Sequence, residues 1–270
     1  MMGAAVRNTD VSTFQKGIRE AFKDAFDLIL PYRCAICGNA SDTEDRFTGY
    51  NRLYKDIYGV DPELHICGKC LSSFNILEED KRWSLCLSDP RENDACPGLA
   101  LYMPFTYQGI AGRAVPRIKF GKKKELARFL GCLLGSCIYG EDIRADLMVP
   151  IPLSPERLAE RGFNQAEEIA YPASRLNDIP FADDLLTRIK DTKRQSELRD
   201  NTVRSKNVAG AFGVSGLWNV TGMTIVIVDD VVTTGATLHE AAEALYKAGA
   251  SKVLCIAFAG NRYIKNAEPF

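Results

Sequence analysis

Residues 225–228 read Ile-Val-Ile-Val, and two carboxylates, Asp229 and Asp230, follow directly. Four apolar, β-branched residues in a row predict a strand buried on both faces, which is the signature of a parallel sheet. The carboxylates then fall where that strand ends. A short loop, Val231, Val232, Thr233, Thr234, Gly235, Ala236 and Thr237, leads into an apolar-periodic stretch that reads as a helix over residues 237–248, capped by Gly249. Ligands of open α/β sheets bind at the carboxyl ends of the strands, where a helix N-terminus offers free N–H groups to an anion. Acids at that place suit sugar hydroxyls or a hydrated Mg²⁺, and threonines suit phosphate. The stretch therefore predicts a phosphorylated sugar, its diol at Asp229 and Asp230 and its phosphate at residues 233–237.

Further elements alternate in the same manner. Strands are predicted over residues 99–107, 147–153, 211–214 and 253–258, and helices over 125–139 and 164–173. Alternation of strand and helix predicts a mostly parallel, doubly wound α/β sheet. The chain divides by texture into an amphipathic helix at 1–30, a cysteine-rich module at 31–98 and the α/β domain at 99–270. Val11, Phe14, Ile18, Phe22, Phe26 and Ile29 recur at helical spacing in the first segment, with charged residues between them, unlike a secretion signal.

The cysteines lie mostly ahead of that domain. Cys34 and Cys37 form one Cys-x-x-Cys knuckle, and Cys67 and Cys70 form another. Four thiolates from two such turns suit tetrahedral Zn²⁺, with redox dithiols as the alternative. The polar stretch 39–49 between the knuckles reads as a loop-like insertion. Cys86 and Cys96 form no knuckle, and Cys132, Cys137 and Cys255 sit in apolar runs as buried thiols. Nine cysteines without an export signal predict reduced thiols and a cytoplasmic protein. Net charge is −1, so no global field draws the chain to nucleic acid or anionic lipid, and no apolar run is long enough to span a membrane.

The acid pair and its Thr-Thr-Gly-x-Thr loop resemble the phosphoribosyl pyrophosphate (PRPP) motif of type I phosphoribosyltransferases. Three other stretches narrow the resemblance. Ile118-Lys119-Phe120 precedes Leu126-Ala127. Pro150-Ile151-Pro152-Leu153 is followed by Arg157 and then by Arg161-Gly162-Phe163-Asn164-Gln165. Residues 193–198 and 207–212 follow, with Arg204 between them. In this order, behind cysteine knuckles, the chain is similar to the ComF family (competence protein F and its relatives), from about residue 31 to 260. A further Cys-x-x-Cys-Gly stretch, often found in that family after the zinc knuckles, is reduced here to Cys86 and Cys96, and the 39–66 segment is longer than the resemblance leads one to expect.

The resemblance implies the type I phosphoribosyltransferase fold with a zinc-binding module, and PRPP with Mg²⁺ as ligand. Asp229 and Asp230 would contact the ribose hydroxyls and the 231–237 loop the 5′-phosphate. Lys119, Arg157 and Arg161 would lie on the pyrophosphate side, and Lys193, Arg194 and Gln195 on a loop that closes over the substrate. Two functions are compatible with it. One is transfer of phosphoribose to a nitrogen acceptor with release of pyrophosphate. The other is a non-catalytic PRPP or nucleotide sensor, or an adaptor, in the DNA-uptake machinery, with a competence helicase as protein partner. Single-stranded DNA binding is expected to be weak at most, given the charge balance.

Overall fold

The computed structural model describes residues 32–40, 48–86, 99–189 and 210–260. The helix expected within 1–30 and Cys96 lie outside them. Among the described residues no helix is long and apolar enough to cross a membrane.

A six-stranded sheet organises the core. Its strands are β1 (Trp83–Cys86), β2 (Leu99–Tyr102), β3 (Phe105–Thr106), β4 (Leu147–Pro150), β7 (Thr224–Val232) and β8 (Lys252–Gly260). They run in the order β1-β2-β8-β7-β4, with β3 paired to the end of β8. All pairings are parallel except the edge pair β1–β2. A separate antiparallel pair joins β5 (Leu186–Arg188) to β6 (Phe212–Val214).

Alternation along β7 shows why this strand is central. Val226 and Val228 enter one hydrophobic cluster, while Ile225 and Ile227 enter the other. The first cluster is closed by helices α4 (Gly109–Lys119), α5 (Lys124–Ile138) and α7 (Gln165–Leu176). The second is closed by α8 (Ala236–Lys247) and the β5–β6 pair. Helices on both faces of a largely parallel sheet make the fold doubly wound, as the sequence predicts.

α5 and α7 lie unusually close because α5 presents glycines at positions 131 and 135. A Cβ at Gly131 would stand 2.4 Å from the Ile169 carbonyl oxygen, and one at Gly135 would stand 2.8 Å from a Leu176 methyl. The segment between the knuckles carries a helix that starts at the end of the polar stretch 39–49. α1 (Thr48–Tyr58) places Tyr50 edge-on to Phe129 at 4.9 Å, and sets Tyr54 against Glu125 and Arg128 of α5. Two short helices, α2 (Gly68–Leu71) and α3 (Glu79–Arg82), lead from the second knuckle to β1. Cys34, Ile36, Ile66 and Cys70 belong to the same apolar cluster as the sheet, so the knuckles rest directly on the α/β core.

Candidate functional site

Asp229 and Asp230 do not follow the strand; they lie inside it. β7 continues to Val232 because β8 keeps pairing with it, Asp229 opposite Ala257 and Val232 opposite Gly260. The loop is thus shorter than the sequence suggests. Val231 and Val232 are strand, residues 233–235 turn, and Ala236 and Thr237 begin α8. Gly235 takes φ 79°, a left-handed conformation that favours glycine, and its carbonyl accepts from the His239 N–H at 2.9 Å.

The two acids differ in surroundings. Asp230 is buried, 6% exposed, and Lys119 Nζ from the last turn of α4 stands 2.7 Å from its Oδ2. That contact is a close, largely buried charge pair. Asp229 opens on the cavity below, and its Oδ1 accepts the Asp230 N–H at 2.8 Å. Burial by the surrounding protein, then the Asp230 charge, push the Asp229 carboxyl up to about 7; Lys119 and the backbone bond only partly offset them.

The loop after β4 supplies the opposite wall. Ser154 caps α6 (Pro155–Arg161) by accepting the Arg157 N–H, and Gly162, at φ 83°, ends that helix in the left-handed conformation. Asn164 then does two jobs. Its Oδ1 caps α7 by accepting the Ala166 N–H, and its Nδ2 donates to the Ile151 carbonyl at 3.0 Å. Gln165 donates to the Phe163 carbonyl while its Oε1 accepts from the Arg161 guanidinium. The Arg-Gly-Phe-Asn-Gln string is therefore a fixed bend that aims Arg161.

These walls enclose one cavity of about 360 Å³. Asp229, Asp230, the whole 231–237 loop, Lys119, Arg157 and Arg161 all line it. Lys119 lies closer to the acids than the resemblance implies, since its ammonium is spent on Asp230. Lys193, Arg194 and Gln195 lie outside the described residues. Three lysines in a row follow Phe120 and Gly121: Lys124 pairs with Glu168 at 2.8 Å, and neither Lys122 nor Lys123 lines the cavity.

Sequence reasoning missed Arg188, Phe120 and Glu160 as lining residues, and gave Tyr107 to the strand core. Arg188 closes a three-residue strand and stacks its guanidinium 5.3 Å from the Phe212 ring, a position that no local pattern announces. Phe120 had a signal: it is a lone aromatic beside a lysine run, and it is 73% exposed. Tyr102 and Phe105, which fall in the predicted strand 99–107, are buried in the core.

A second cluster lies at the knuckles. The Sγ atoms of Cys34, Cys37, Cys67 and Cys70 are all within 4.8 Å of one another, and those of Cys37 and Cys67 are 3.8 Å apart. A tetrahedron of thiolates about 2.3 Å from Zn²⁺ has edges of about 3.8 Å, so the four sulfurs fit that ion. Burial opposes ionisation of Cys34, but backbone N–H groups of Cys37, Cys67 and Ile36 outweigh it and bring the thiol down to about 6. Burial and the neighbouring sulfurs push Cys67 and Cys70 up. Cys132, Cys137 and Cys255 are buried singly, as predicted.

An acid pair within a central parallel strand, a turn into a helix N-terminus and an arginine-bearing loop opposite define a phosphoribosyltransferase-domain protein. A profile of the phosphoribosyl transferase domain matches residues 158–267. The chain is 33% identical over 228 residues to the DNA utilization protein YhgH of Escherichia coli and of Shigella flexneri, covering 82% of this chain and 86% of each relative. It is 28% identical over 190 residues to competence protein ComFC of Bacillus subtilis, covering 68% and 71%. Competence protein F of Haemophilus influenzae is 34% identical over 109 residues, covering 40% and 47%. The chain belongs to the ComF family of type I phosphoribosyltransferase-domain proteins.

Proposed function

We propose that the cavity binds PRPP together with Mg²⁺ and transfers its phosphoribosyl group to a nitrogen acceptor, releasing pyrophosphate. The observation that carries this is the convergence on a single cavity of the acid pair, the turn at the start of α8 and two arginines from α6. The α8 N-terminus and the Thr233 and Thr234 hydroxyls hold the 5′-phosphate, where helix N–H groups and the dipole favour an anion. Asp229 and Asp230 accept from the ribose hydroxyls and fix the sugar. Arg157 and Arg161 meet the pyrophosphate, and the Gln165 contact keeps Arg161 oriented for it.

The two carboxylates also suit Mg²⁺, a hard cation commonly held by one or two carboxylates plus substrate phosphates. Bound there, the ion would neutralise charge on the leaving group. Departure of pyrophosphate leaves positive charge on the sugar and negative charge on the arginine side. The fixed donors of the β4–α6 loop stabilise the second, and positioning supplies much of the remainder. Such a reaction needs no covalent nucleophile. Zn²⁺ at the four cysteines is assigned a structural role.

The relatives named for DNA utilization and competence favour a second reading, a PRPP sensor or adaptor in DNA uptake. A pyrophosphate-release assay separates the two, using the full chain, PRPP, Mg²⁺ and a pool of bases and amines. Release above the no-acceptor control is the expected result. PRPP binding with no release in any pool would overturn transfer and leave the sensor.

A further inference from the structure

We propose that Lys119 is a resident counter-ion of the acid pair, which bars a free divalent cation and yields only to one that arrives with a phosphate-bearing ligand. The ligand's identity rests on the reading above; the exclusion of the cation does not.

Lys119 Nζ stands 2.7 Å from Asp230 Oδ2, and both side chains are largely buried, at 22% and 9% exposure. Asp230 is among the few buried charged residues of the described protein. An ammonium at that distance occupies the space where a divalent cation would take its oxygen, and the two positive charges cannot share it. Removing the lysine without a substitute would strand a buried carboxylate, so the pair is stable until something replaces both partners. A metal-bound anion does so. The cation takes over Asp230, and the phosphate groups take over Lys119.

The fold allows that exchange. Lys119 ends α4, so its backbone is fixed, while its four-carbon stem is flexible and projects into the cavity that Arg157 and Arg161 also line. A short move within one cavity carries the ammonium from the sugar side to the pyrophosphate side. Metal-free sugar phosphate meets a site whose acid is already paired, and metal without anion meets a positive charge. Neither alone displaces the lysine, which makes the metal–phosphoanhydride complex the preferred ligand.

Binding of Mn²⁺ alone tests this, followed by the electron paramagnetic resonance signal of the free ion in titrations with the full chain and no organic ligand. Lys119→Met should bind Mn²⁺ at least ten-fold more tightly than wild type, and Lys119→Gln should show the same direction if the first variant folds poorly. Lys122→Met, at an exposed lysine outside the cavity, should leave affinity unchanged. Adding Asp230→Asn to Lys119→Met should abolish the gain. Wild-type affinity in both Lys119 variants, or a gain that survives loss of the Asp230 carboxylate, would overturn the proposal. Failure of PRPP to bind would strike the proposed function and leave the Mn²⁺ result standing.

Discussion

Asp229, in the wall of the cavity, titrates well above the ordinary carboxylate range. Unfolded, its carboxyl loses its proton near 3.8; folded, burial and the Asp230 charge hold that proton to about 7. The folded state binds the extra proton between these values. The associated stability is therefore complete below about pH 4 and is lost as pH rises through about 7. Denaturant unfolding of the ligand-free protein at pH 5 and pH 8 should show wild type losing up to about 3 kcal/mol relative to Asp229→Asn. Parallel losses in the two proteins would contradict the shift. Asn164 acts through geometry alone. Asn164→Ala removes both the α7 cap and the tie to Ile151, and should cost about 2 kcal/mol in the same measurement. Asn164→Asp keeps the cap but has no amide for Ile151, so an intermediate loss is expected. Equal losses in both variants would show that the cap contributes nothing.

Among the elements, the close contact of α5 and α7 is the most demanding. Gly131→Ala adds a methyl where the Ile169 carbonyl stands at 2.4 Å. Helix propensity alone would reward this change by about 1 kcal/mol, but overpacking against backbone should turn the sign and destabilise by about 2 kcal/mol. A stabilised variant would mean that the helices can separate freely. What the sequence shows of these elements follows their local signals. β4, β8, α5, α7 and α8 were legible because apolar periodicity and caps agreed. α4 was not, because Gly109, Gly112 and Pro116 depress helix propensity, and it forms by burying Ile110, Ala114, Val115 and Ile118. α1 was passed over although Tyr50, Leu53, Tyr54, Ile57 and Tyr58 recur at helical spacing, because Gly49 and the polar residues before it read as loop. The extension of β7 through two aspartates was invisible for a similar reason. Aspartate is depleted in strands, and only the partner β8 holds it there. In the site, the acids, loop and arginines carry recognisable residue types. Arg188 and Tyr107 reach the cavity through tertiary packing alone.

Across the whole molecule, the knuckles share one apolar cluster with the sheet, and Phe74 beside them contacts Phe105, Phe129 and Phe258. A metal held there should stabilise the sheet and not merely a separate appendage. Chelation, or Cys34→Ser, should release about one zinc per chain and lower a single unfolding transition. A chelated protein whose main transition stays put while a minor one vanishes would show the module to be uncoupled. The same integration runs through α1. Arg128 joins Tyr54 and Glu125 to Glu168 of α7, and Glu168 also holds Lys124, five residues beyond Lys119. The central claim remains that the cavity binds PRPP with Mg²⁺ through the acid pair. Calorimetric titration of PRPP in Mg²⁺ tests it most directly, with wild type set against the double variant Asp229→Asn and Asp230→Asn. Wild type should bind one PRPP per chain, and the double variant should lose at least about 100-fold in affinity, near 2.7 kcal/mol, while its fold persists. Equal affinity in the two proteins, or no binding by wild type, would contradict the account.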